Sequence, residues 1–170
     1  MKISRIFNSS AAAALIGSTI FVTPAFATPG QGFAPSPIVN GSFGRLNVNT
    51  AGDKTGKWGL ILKTLDETDM GADRLSVAGG GFSGWHAHPS LVFITVTQGT
   101  IRWFDGSDPL CTAHTYTVGD SFIEQAYVPH NVANASGTES AEFIAIVIKP
   151  SGFVGPAFRL DRPEPNNCDF

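Results

Sequence analysis

The chain has 170 residues, with 11 basic and 14 acidic side chains and a net charge of −3. That length suits one domain with a hydrophobic core of its own. An acidic chain without a basic run lacks both the electrostatic footprint of a nucleic-acid binder and the cationic stripe that holds a protein on an anionic membrane, so a small solute is the partner it suits.

The first 27 residues do not belong to that core. Lys2 and Arg5 form a basic start, Ala11 to Val22 is an uncharged apolar run, and Pro24-Ala25-Phe26-Ala27 ends in the small-x-small pattern of a signal-peptidase site. The order is that of a secretory signal, and the run is short for a membrane span; an uncleaved anchor is the alternative. Cleavage after Ala27 removes Lys2 and Arg5 and no acid, leaving 9 basic against 14 acidic side chains, a net −5. The expected location is secreted or periplasmic, with no membrane association once the signal is gone.

Residues 28–37 are rich in Pro and Gly and read as a flexible leader. A barrel domain is expected over 38–158. Within it, runs of β-branched and aromatic residues recur at Trp58–Leu65, Arg74–Ala78, Leu91–Thr97, Thr100–Phe104, Thr115–Val118 and Phe143–Lys149. Turn chemistry separates them, as at Ala51-Gly52-Asp53, Asp105-Gly106, Gly119-Asp120 and Ser136-Gly137. No stretch carries a helical period, so the expectation is an all-β sandwich or barrel. Residues 159–170 contain Pro163 and Pro165 and read as an irregular strap.

Both cysteines, Cys111 and Cys168, lie beyond the signal. In an exported chain such a pair reads as a disulfide fastening the strap to the hairpin near Asp105-Gly106-Ser107-Asp108. Two free thiols or a thiol metal ligand are the alternatives, although neither cysteine stands in a CxxC or CxH spacing.

Three of the four histidines carry the functional signal. His86 and His88 form an H-x-H pair, and residues i and i+2 of a strand face the same way, so both imidazoles could reach one point. His130 lies at the end of another strand-like run. Imidazole is a good ligand for zinc, copper, iron and nickel, and three of them make a facial cap.

The spacing resembles the cupin superfamily. The first cupin motif is matched by Gly80, His86, His88 and Gly99, with Val92 where a glutamate is expected. The second is matched by Gly119, His130 and Asn134, with Gln125 in the proline place and Tyr127 in the glycine place. Exported single-domain bacterial cupins are similar in the stretches Gly84–Pro89, Trp103–Cys111, Gly119–Glu124 and Asn166–Phe170. The resemblance implies a small jelly-roll-type β-barrel holding a divalent transition metal (Fe, Mn, Ni, Cu or Zn) on His86, His88 and His130. A homodimer is implied in the same way, barrel packing being common in the superfamily.

With Val92 in the acid's place, three neutral imidazoles leave the charge of the ion undiminished. Glu124 is the residue that could change this. A carboxylate facing a barrel interior is costly unless paired or bound to a cation, so Glu124 is expected as a fourth ligand, a histidine's partner or a catalytic general base. The alternative is a solvated side chain at a strand end. Trp85, Val92, Ile94, Phe122 and Tyr127 are the expected pocket residues, with core packing the other reading of Trp85 and aromatic packing that of Tyr127. Three functions are compatible with these residues: a metal enzyme on a small organic molecule, dioxygenase-like in one version; a non-enzymatic module binding a small ligand or metal; and a barrel that keeps its histidines without an ion.

Overall fold

The computed structural model describes residues 29–50, 56–153 and 158–168. The expected signal peptide (1–27) and the turn at Ala51-Gly52-Asp53 lie outside those residues. The strands among the described residues are β1 (Gln31–Asn49), β2 (Ile61–Phe82), β3 (His86–Ala87), β4 (Val92–Gln98), β5 (Thr100–Asp105), β6 (Ala113–Thr117), β7 (Ser121–Glu124), β8 (His130–Asn134), β9 (Ala141–Pro150) and β10 (Leu160–Asp161). No helix among the described residues is long and apolar enough to cross a membrane.

One face of the barrel runs β1-β2-β9-β4-β7 and the other β10-β3-β8-β5-β6; Phe82 of β2 pairs with Ala133 of β8 where they join. This is the jelly-roll-type β-barrel that the strand-rich sequence implies. The cause is visible in β4, where Val92, Ile94 and Val96 are buried and Phe93 and Thr95 are exposed. A strand's two-residue period puts alternate side chains on opposite faces, and each Val or Ile so buried contributes about 1.5–3 kcal/mol. Beside them on the same inner face are Phe143, Ala145 and Val147 of β9 and then Leu75 and Val77 of β2. Ile101 of β5 and Val132 of β8 join the same cluster from the other face.

Two sequence expectations change. The strand-like runs at Trp58–Leu65 and Arg74–Ala78 contribute to one long strand, β2, because β1 pairs along it from Asn49↔Ile61 to Gln31↔Phe82. The flexible leader over 28–37 is also corrected: from Gln31 the chain is strand. Pro35 and Pro37 are tolerated there because β1 pairs with β2 alone and forms an edge, where a missing N–H breaks no inner ladder. Near its end β2 must bend towards the other face. A Cβ on Gly79 would stand 2.6 Å from backbone atoms of Thr138, and Gly80 has φ +70°, so glycine is required at both positions.

The C-terminal segment is more than a strap. Leu160 and Asp161 pair with Ala87 and His86, adding β10 beside β3. The Cys111–Cys168 disulfide then ties its far end to the loop between β5 and β6. Asn134 closes the other end of β8: its Nδ2 donates to the carbonyls of Val77 (2.9 Å) and Glu139 (2.7 Å), holding the turn into β9.

Candidate metal centre

His86 and His130 sit directly opposite each other on β3 and β8, and paired residues of neighbouring strands share a face. His88 follows two residues after His86. Their ring centroids lie 4.3 Å (His86–His130), 5.0 Å (His86–His88) and 5.1 Å (His88–His130) apart. One ring nitrogen from each lies within 4.8 Å of the others, and all three residues are buried.

The backbone fixes each ring. The Nδ1–H groups donate to carbonyl oxygens: His86 to Gly84 (2.9 Å), His88 to Phe158 (2.8 Å) and His130 to Val128 (2.9 Å). A carbonyl only accepts, so Nδ1 must carry the proton and the neutral ring keeps its lone pair on Nε2. Anchoring one nitrogen to a carbonyl while the other faces inward is the arrangement that orients metal-bound histidines.

Glu124 completes the cluster from β7, on the opposite face. Its Oε2 lies 3.2 Å from His88 Nε2 and its Oε1 3.3 Å from His130 Nε2, and the carboxylate is buried. His130 Nε2 makes no aligned hydrogen bond there. Two lone-pair nitrogens facing a carboxylate repel unless a cation or a proton lies between them, so the donor set fits a divalent metal ion. Of the readings open to Glu124, the solvated one is excluded.

The electrostatics agree. Burial, and then the neighbouring cationic groups, push His86 well below the ordinary imidazole value, which keeps it neutral. Burial also opposes charge on Glu124 and His130, but each is overcome by the other: Glu124 is held far below its usual range and His130 is raised. In the metal-free protein these shifts favour an ionised Glu124 facing a protonated His130. The depressed carboxylate stabilises the fold above its ordinary 4.5 and loses that contribution as pH falls through its lowered value. The raised imidazole contributes below its ordinary 6.5 and loses that as pH rises through its higher value. Metal-free protein is expected to be most stable between those two values, and ion binding to weaken as pH drops, because the ion competes with the proton on His130. Melting temperatures with and without chelator across pH measure both trends.

A cavity of about 30 Å³, room for about two waters, adjoins the cluster. Val92 and Ile94 line it, together with Leu75, Asp73, Phe143 and Arg159. Three expected pocket residues are elsewhere. Trp85 precedes His86 by one position, so it points to the opposite face and is buried with Phe104, Ala133 and Cys168. Phe122 lies one rung beyond Glu124 and stacks on Tyr116 at 4.1 Å. Tyr127 takes φ +62° in the turn before β8 and is 62 % exposed. The sequence reading missed Phe158 and Arg159; the only hint was the cysteine that fastens their segment.

The described residues form a β-barrel with a buried, backbone-oriented histidine triad that could hold a metal ion. Residues 74–147 match the family model described as Cupin domain, and the barrel is of the cupin type. Among solved structures, a cupin domain from Bordetella pertussis is 20 % identical, with a TM-score of 0.45 over 73 % of this chain and 98 % of that one. The oxalate decarboxylase of Lactobacillus farciminis, in complex with formate, is 19 % identical with a TM-score of 0.45, over 54 % of this chain and 26 % of that one. A sugar phosphate isomerase of the superfamily from Silicibacter pomeroyi is 21 % identical with a TM-score of 0.40, over 48 % of this chain and 51 % of that one. At these identities the likeness is one of fold. No curated protein matches the chain.

Proposed function

We propose that the chain is an exported, metal-dependent cupin acting on a small organic molecule, with a divalent transition ion (Fe, Mn, Ni, Cu or Zn) held by His86, His88, His130 and Glu124. The observation that carries this reading is the convergence of three backbone-fixed imidazoles, two of which face one buried carboxylate. An ion of this kind supplies Lewis-acid polarisation of an oxygen-bearing group when bound. The chain's own residues do the rest. Val92, Ile94, Leu75 and Phe143 form apolar walls that limit water at the donor set. Glu124 sits where its carboxylate can take a proton from a bound molecule. Export is supported by the basic and apolar start of the chain and by the Cys111–Cys168 disulfide, a bond that persists in oxidising compartments.

The cavity's small volume favours a second reading, in which an ion or small ligand is held without turnover. Elemental analysis decides the shared part. Wild-type protein is expected to carry about one ion per chain and His88→Ala to lose it, with a lower melting temperature for chelator-stripped than for loaded wild type. Unchanged ion content in His88→Ala would refute the site. Turnover by loaded protein across a panel of small substrates, including oxygen uptake, then separates enzyme from binding module.

A further inference from the structure

Arg159 is the only cation among the described residues lining the cavity. It follows Phe158, whose carbonyl holds His88, and it lies beyond the stretch that matches the cupin family. Its guanidinium is anchored from behind. Nη1 donates to the carbonyl of Ser83 (2.8 Å), Nη2 reaches that of Trp85 (3.5 Å), and Nε donates to Asp161. A guanidinium has five N–H donors in a planar fork, so these three contacts fix its direction and leave donors to spare. Asp161 is 62 % exposed at its side chain, so water screens that ion pair and the positive charge is largely retained. Its field reaches the donor set: Arg159 is among the groups that disfavour protonation of His86 and His130.

The other walls set the rest of the chemistry. Leu75, Ile94, Ala145 and Val147 are apolar. Asp73 lies on the wall formed by β2, and Lys149 is near enough to offset its charge. Glu124 is engaged by His88 and His130. What remains unanswered in this cavity is positive charge.

We propose that the cavity receives a small carboxylate, with Arg159 binding its oxygens and the apolar wall of Leu75, Ile94 and Val147 taking a short carbon chain. The volume suits an acid the size of acetate. This rests on the metal reading in that an ion would add to the same positive field, but the contribution of Arg159 is separable from it.

Calorimetric titration of acetate into zinc-loaded and metal-free protein, with uncharged acetamide as control, tests the assignment. Zinc is chosen because it brings no redox chemistry. Wild-type protein is expected to bind acetate and not acetamide. Arg159→Gln should weaken acetate about tenfold or more, with zinc content unchanged, since hydrogen bonds between charged partners are the strong ones. Arg159→Lys keeps the charge and most of the packing, loses the fork, and should fall between the two. It also keeps the test open if Arg159→Gln does not fold. Equal acetate affinity in wild type and the variants, or acetamide binding as well as acetate, would overturn the proposal. Failure of wild type to take up zinc would overturn the metal reading instead, and the same comparison in metal-free protein would still decide Arg159.

Discussion

Glu124→Val is expected to lower affinity for the ion about 10–100-fold, and the exchange Val92→Glu/Glu124→Val to recover most of it. Val92 stands where the cupin motif places its acid, and Val92 and Glu124 are direct register partners on β4 and β7. Residues so paired present their side chains to the same face about 4.5–5.5 Å apart, and both are buried against the cavity. On the proposed reading, the carboxylate stands one strand to the side of the motif's acid position. Val92→Glu alone should behave differently. It brings two carboxylates into one buried space, where like charges cannot both ionise freely, so the metal-free variant should melt lower than wild type and an ion should restore more of the loss. Competition with a chromophoric chelator measures all three affinities. If Glu124→Val binds the ion as wild type does, the carboxylate is not part of the site; if the exchange is no better than Glu124→Val, its position on β7 is specific.

The barrel and the triad were legible in the sequence for a physical reason. Alternation along β4 and the i, i+2 relation of His86 and His88 are local, and His130 is found by a spacing that the fold imposes on β3 and β8. Glu124 was half legible: its carboxylate among strand residues marked it, but only the β4–β7 register places it beside Val92, where the motif's acid is missing. The remainder depends on contacts distant along the chain. His88 is fixed by a carbonyl 70 residues away, and Arg159 is anchored on Ser83 76 residues before it. No local pattern encodes such pairs. Trp85 and Tyr127 were misplaced for opposite reasons. Alternation alone would have turned Trp85 away from the triad, whereas the left-handed backbone at Tyr127 follows from no feature of its side chain.

Breaking the disulfide with Cys111→Ser/Cys168→Ser is expected to destabilise the protein by about 4 kcal/mol, from loop-closure entropy over a separation of 57 residues. For a chain of this size that corresponds to a fall of about 8–16 °C in melting temperature. The loss should not be confined to stability. The tethered segment carries the Phe158 carbonyl that orients His88, the β10 strand that pairs with His86, and Arg159 at the cavity. Phe158 also stacks on His88 at 5.9 Å, so a segment free to lift away takes packing as well as a hydrogen bond from that ligand. The ion should therefore be held less tightly in the double variant even at temperatures where the barrel remains folded. Denaturation curves and ion affinities, measured for wild type with and without a thiol reductant and for the double variant, separate the two effects. A full loss of stability with unchanged ion affinity would mean that β10 and the Phe158 carbonyl hold the triad without help from the covalent tie. A loss of both, in reductant as in the variant, would make the tail of the chain a working part of the metal centre.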